Sequence, residues 1–248
     1  MDKILIKDNE RVDDLQVNGL KLIQNPEWFC FGIDAVLLAD FAQVTKDDVI
    51  VEFGAGNGII PILLAGKKKC KHVCGIEIQP EIADIAKRNV RLNNLEGNVR
   101  IIEGDFKDEK LIQSSSVDAV ISNPPYKEIG GGLLSQKNEK FLFARHEVKA
   151  KLEDVLCQSR RILRSKGKLY LVHRPERLVD ILTMMRLYKL EPKKIRLIHP
   201  SADKRPNILL VEAVADGNPQ LVCEKPLFVY DDNGEYTKEI NEIYGRGV

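Results

Sequence analysis

Val49-Ile50-Val51-Glu52-Phe53-Gly54-Ala55-Gly56-Asn57-Gly58 decides how the chain is read. Its first half is apolar and largely β-branched, as a buried strand requires. Three alternating glycines follow, which permit positive φ and let a ligand approach the backbone closely. The apolar residues at 59–67 then suit a helix, whose N-terminus favours an anionic group. Strand, glycine turn and helix in this order begin a βαβ unit. The G-x-G-x-G spacing is not the G-x-G-x-x-G of dinucleotide enzymes, and taken alone it would also suit a tight structural turn.

Further β-branched runs at 72–78, 99–103, 117–122, 168–173, 194–199 and 208–214 make seven strands with 49–53. Helical stretches at 80–93, 151–164 and 174–187 alternate with them, Pro80 opening one and Gly167 lying just beyond another. Only 200–207 separate the last two strands, too few for a parallel crossover, so this pair is antiparallel. The fold class is α/β and Rossmann-like, a seven-stranded mostly parallel sheet with one antiparallel strand. Upstream, 14–24 read as two alternating runs around Asn18-Gly19, a two-residue hairpin turn. Residues 33–41 suit a short buried helix. In the tail, Asp231-Asp232-Asn233-Gly234 marks a turn, and Ile240 and Tyr244 lie in a helical pattern. One domain, 1–248, then comprises a hairpin and helix extension (1–45), a catalytic core (46–215) and an appendage (216–248).

No apolar run approaches the roughly 20 residues that span a bilayer. The first eight residues scatter charge through their apolar stretch, unlike a secretory signal, and a cytoplasmic address follows. The five cysteines are widely spaced, which suits free thiols, and Cys70 and Cys74 lack the partners of a zinc site. A net charge of +1 neither announces nor excludes a nucleic-acid partner. Lys67-Lys68-Lys69 and Lys71 read as a solvated helix end, with phosphate contact as the alternative. Arg145, His146, Arg160, Arg161, Arg196, Lys204 and Arg205 are weaker candidates of the same sort.

Three strand ends carry acids or glycines. Glu77 lies 25 residues after Glu52, where a carboxylate accepts both hydroxyls of a ribose. Asp105-Phe106 follows the third strand. Asn123-Pro124-Pro125-Tyr126 follows the fourth, where ligands of open α/β sheets bind. Two prolines fix φ and restrict the residue before them, which holds the Asn123 side chain and a neighbouring carbonyl as rigid acceptors. Two acceptors gripping the hydrogens of a conjugated amine aim its lone pair. Tyr126 offers a face for stacking the target ring. Residues 127–145, with Gly130-Gly131-Gly132, read as a gating loop or an ordinary surface loop.

The whole pattern resembles the class I S-adenosylmethionine-dependent methyltransferases, which implies strand order 3-2-1-4-5-7-6. Residues 29–39, 52–58, 123–126, 144–147 and 236–245 resemble more closely the bacterial family that N6-methylates the adenine 3′ of the anticodon in a valine tRNA. That resemblance implies Asn123, Pro124, Pro125 and Tyr126 as the catalytic corner. It implies Asp34, Glu52, Gly54, Gly56, Asn57, Gly58, Glu77, Ile78, Asp105, Phe106 and Asn123 around S-adenosylmethionine and its product S-adenosylhomocysteine. An RNA substrate, tRNA by this likeness, and no membrane partner follow. Methylation of ribosomal RNA guanine, of a protein glutamine amide or of DNA adenine uses related motifs, and a binding module retaining the fold is the non-enzyme alternative. The intact glycines and acids argue against the last.

Overall fold

The computed structural model describes residues 6–27, 32–124 and 151–246. An N-terminal hairpin pairs β1 (Arg11–Asp14) with β2 (Lys21–Gln24) antiparallel. At its tip Leu20 N–H donates to Val17 O, and Asn18 and Gly19 both take positive φ, 49° and 71°, as the sequence pair predicts. Helix α1 (Ile33–Phe41) follows.

The core then runs β3 (Val49–Phe53), α2 (Ile59–Gly66), β4 (His72–Glu77), α3 (Pro80–Leu92), β5 (Val99–Glu103) and β6 (Val117–Ser122). After residues 125–150 come α4 (Leu152–Ile162), β7 (Leu163–His173), a 3-10 turn (Pro175–Arg177), α5 (Leu178–Leu187), β8 (Leu190–His199) and β9 (Ile208–Ala215). The central order is β8-β9-β7-β6-β3-β4-β5, with β9 antiparallel to both its neighbours and the other pairs parallel. This is the order the resemblance implies.

Two boundaries differ from the sequence reading. Helix α4 stops at Ile162 and β7 begins at once, so Gly167 lies inside a strand. Lys166 takes φ 66°, and a Cβ on Gly167 would stand 2.9 Å from Arg164 O. The strand therefore opens with an irregular turn-like stretch that mimics a helix end in sequence. The tail also adds strands: β10 (Val222–Cys223) and β11 (Leu227–Phe228) run parallel to β8, making nine in the sheet, before α6 (Lys238–Ile243).

Both faces of the sheet are covered. One apolar cluster joins α1, α2, α3 and α6 to Ile50, Ala119, Tyr170 and Leu210; the other joins α4 and α5 to Val51, Val120, Leu169 and Val211. Adjacent strand residues thus point to opposite layers, which explains why β3 and β6 are apolar throughout. Lys67 and Lys68 of the lysine run are half-buried and tied down, while Lys69 and Lys71 are exposed. Lys67 Nζ reaches Asp40 Oδ1 at 2.8 Å and Ile243 O at 2.6 Å; Lys68 Nζ reaches Asp40 O and Ala42 O; Lys69 holds Gly66 O and Lys71 pairs with Asp47. Cations complement the carboxyl ends of three helices here, α1, α2 and α6. The four described cysteines are free, and burial pushes the Cys74 thiol up to about 11. Among the described residues no helix is long and apolar enough to cross a membrane.

Candidate active site

Parallel strands β3, β4, β5 and β6 end on one side of the sheet and present their following residues together. After β3, Gly54, Gly56 and Gly58 take φ 73°, 54° and 85°. The chain turns sharply here, and Gly54 and Ala55 both donate to Ile76 O of β4, at 2.9 and 3.0 Å. A Cβ built on Gly54 or Gly56 meets nothing within 4 Å, so the turn leaves open space above its backbone. At Gly58 a Cβ would stand 3.3 Å from Ala86 of α3, so this glycine serves close packing of α2 beside α3.

The two glutamates differ in their surroundings. Glu77 is buried but satisfied, Oε2 accepting the Gly56 amide at 2.9 Å and Oε1 the Gln79 amide at 3.0 Å. Glu52 is buried under the turn, and its Oε2 has no hydrogen-bond partner among the described residues. Burial, reinforced by the Glu77 charge, pushes its carboxyl well above the usual range.

At the end of β4, Ile78 is 41 % exposed, an apolar side chain left uncovered next to Glu77. Beyond β5, Phe106 lies nearly flat on Phe53, ring centroids 4.6 Å apart at 15°. Asp105 Oδ1 accepts the Lys107 amide at 2.9 Å, a local turn that leaves the carboxylate half-exposed. The ends of β4 and β5 thus carry an exposed apolar side chain, an acid and an aromatic ring.

In the register of β3 against β6, Phe53 is opposite Ser122. Gly54 and Asn123 are the residues that follow this last pair, each just beyond the end of its strand. Asn123 and Pro124 are half-buried. Asp34, in the first turn of α1, accepts the Ala35 amide through Oδ1 at 2.9 Å. Asn57 contributes its backbone carbonyl, which accepts from Asn89 Nδ2 at 2.9 Å, and its side-chain Nδ2 donates to Gln24 Oε1 at 3.5 Å. The structure thus gathers Glu52, Gly54, Gly56, Asn57, Gly58, Glu77, Ile78, Asp105, Phe106, Asn123 and Pro124 at one end of the sheet. Pro125 and Tyr126, the loop at 127–145 and residues 29–31 lie outside the described residues.

Sequence reasoning overlooked Gln24 and Asn89. The signal for Asn89 was present: it falls among the buried positions Ala83, Ile85, Ala86 and Val90 of a strongly amphipathic helix, where a polar side chain needs internal partners.

Known proteins match this architecture. A Porphyromonas gingivalis protein named tRNA1(Val) (adenine(37)-N6)-methyltransferase is 29% identical over 188 residues, 73% of this chain and 72% of the relative. A Methanocaldococcus jannaschii protein, provisionally named a protein N5-glutamine methyltransferase, is 32% identical over 112 residues, 45% of this chain and 54% of that protein. The crystal structure of a predicted O-methyltransferase from Agrobacterium tumefaciens superposes with TM-score 0.68 at 22% identity, covering 87% of this chain and 97% of that one; it shares the fold. Residues 31–186 match the methyltransferase small domain family, a span that contains the glycine turn, all four strand ends and the Asn-Pro-Pro-Tyr segment. The chain belongs to the methyltransferase small domain family and is an S-adenosylmethionine-dependent methyltransferase.

Proposed function

We propose that the acceptor is the planar exocyclic nitrogen of a nucleobase, N6 of a tRNA adenine beside the anticodon, with Asn123 at the centre of the reaction. The observation that supports this reading is the β3–β6 register, which ends with Phe53 opposite Ser122, so that the glycine turn and Asn123 follow directly from neighbouring strand ends. The choice of tRNA adenine draws its support from the P. gingivalis relative, whose similarity extends over 73% of the chain.

The residues present fit the cofactor. Gly54 and Gly56 leave open backbone where a Cβ would meet nothing, and the N-terminus of α2 suits a carboxylate. An orphaned carboxylate at Glu52 suits a ligand that brings positive charge. We assign Glu77 to the ribose hydroxyls, since each of its oxygens keeps a second lone pair beyond its backbone bond. Ile78 and Phe106 we assign to the adenine faces, Asp105 to its amino group and Asp34 to the methionine end.

Bound S-adenosylmethionine supplies an electrophilic methyl group. Asn123 Oδ1 accepts a hydrogen of the target amine and, with a neighbouring carbonyl, turns its lone pair out of conjugation and toward the methyl. Transfer acidifies the remaining amine proton, so the site needs no strong base. We also read 1–248 as one domain, and a tRNA substrate as fitting a cytoplasmic enzyme.

The test is transfer of labelled methyl groups into separated tRNA, ribosomal RNA and protein fractions, followed by nucleoside and amino-acid mass spectrometry. N6-methyladenosine in tRNA is the expected product. The protein-glutamine reading has the M. jannaschii similarity in its favour, over 45% of the chain. Methylglutamine in protein would establish it in place of ours, and methylguanosine in ribosomal RNA would move the substrate there.

A further inference from the structure

Helix α3 holds the N-terminal hairpin by an unusual side-chain ladder. Asn89 and Asn93, one turn apart on the same face, use both ends of their amides on the backbone of β2. Asn89 Oδ1 accepts the Ile23 amide at 2.6 Å and Nδ2 donates to Ile23 O at 3.1 Å. Asn93 Oδ1 accepts the Lys21 amide at 2.9 Å and Nδ2 donates to Lys21 O at 2.7 Å. Lys21 and Ile23 are alternate residues, and their backbone groups face away from β1, which pairs through the other side of the ribbon. The two asparagines therefore replace a third strand.

Asn89 does one thing that Asn93 does not. Its Nδ2 also donates to Asn57 O, at 2.9 Å, in the middle of the glycine turn. Asn89 is fully buried, and its three contacts lie within hydrogen-bond range. Asn93 instead returns its second donor to Asn89 O at 2.8 Å within the helix. The turn is thus gripped from two sides, by Glu77 on the Gly56 amide and by Asn89 on the Asn57 carbonyl. When ribose hydroxyls compete for the Glu77 carboxylate, the Asn89 grip is the one that does not involve a ligand-binding group.

We propose that Asn89 is a positioning residue for the cofactor. It fixes the peptide orientation of the Gly56–Gly58 turn and is itself fixed by β2, so the hairpin acts as a remote wall of the cofactor site. The inference rests on the reading of that turn as the cofactor cradle.

The asparagine pair supplies its own control, because both residues anchor the hairpin and only one touches the turn. Binding of S-adenosylhomocysteine to the full-length protein is measured by calorimetry, well below each variant's unfolding temperature, together with KM for the cofactor and kcat at saturation. Asn89→Ala should weaken binding by about tenfold or more, the effect of leaving one buried carbonyl unpaired. KM should rise in proportion, with kcat at saturating cofactor within about twofold of the parent. Asn93→Ala should lower stability and leave affinity within about twofold. If Asn89→Ala does not fold, Asn89→Asp takes its place, since it keeps the acceptor for Ile23 N–H and loses the donors to Ile23 O and Asn57 O. Equal changes in affinity for the Asn89 and Asn93 variants, or none in either, overturn the proposal. Gly56→Val, whose side chain would fill the open turn, separates the two readings: if it too leaves affinity intact, the cradle assignment falls with the inference; if it alone abolishes binding, only the inference falls.

Discussion

Glu77 accepts the amide of Gly56 at 2.9 Å, so an acid at the end of β4 closes the turn that follows β3. The same carboxylate shapes the turn and, in our reading, meets the ribose. Hydrogen bonds to a charged group are each worth about 1.5–3 kcal/mol. Glu77→Ala should therefore reduce S-adenosylhomocysteine affinity by at least about tenfold per lost ribose contact. Calorimetry reads this directly, and unchanged affinity would remove Glu77 from the site.

Asn123→Ala should separate binding from transfer. Loss of an oriented electrostatic group aimed at the reacting atom typically costs about a hundredfold to a thousandfold in kcat. Cofactor affinity should change by less than about threefold, because Asn123 is assigned to the target amine. A large loss of calorimetric affinity would reassign the residue to cofactor binding.

Glu52 should impose a pH dependence on stability. Burial and the Glu77 charge raise its carboxyl in the folded protein, so between the unfolded value, about 4.3, and the raised one the native state binds more protons. Stability contributed by this group is then present at low pH and lost as pH rises through that window. Glu10 acts in the opposite sense: burial pushes it up, but the hydrogen bonds and charges of Arg88 and Lys7 leave it lowered overall. Between pH 5 and 8, Tm of the ligand-free Glu52→Gln variant should fall less steeply than that of the parent. Parallel slopes would show that Glu52 ionises freely.

Arg88→Leu should test how firmly the hairpin is anchored. Arg88 Nη1 and Nη2 each reach a separate oxygen of Glu10 at 2.6 Å, with the side chains 7% and 4% exposed. Removing one partner of a buried pair costs about 3–5 kcal/mol, on the order of 10 °C in Tm for a chain of this size. Glu10→Gln should cost less, since Arg88 Nε keeps Asp84 at 3.1 Å. Differential scanning calorimetry decides, and equal losses would contradict the role of Asp84.

The features legible in the sequence are those fixed by local chemistry. Three alternating glycines after a β-branched run require positive φ, and all three adopt it. Eight residues between two strands exclude a crossover, and β8 and β9 pair antiparallel. What escaped depends on partners far along the chain. Asn89, a polar residue on the buried face of α3, signals a need for internal partners but not which ones until Ile23, 66 positions earlier, lies against it. Lys67 and Lys68 look solvated until the ends of α1 and α6 arrive to accept their protons. The start of β7 was misplaced because Lys166-Gly167, a turn inside a strand, has the composition of a helix terminus.

The short parallel pieces β10 and β11 cover the outer edge of β8. Without them, β8 would expose a ten-residue row of backbone donors and acceptors, a template for intermolecular pairing. Two dipeptides occupy its Lys194–Ile195 and Ile198–His199 positions, and Glu224, Lys225 and Pro226 interrupt the strip between them. A strip so short, charged and broken by a proline offers no continuous edge for the next chain. Termination of the sheet is thus written into the tail.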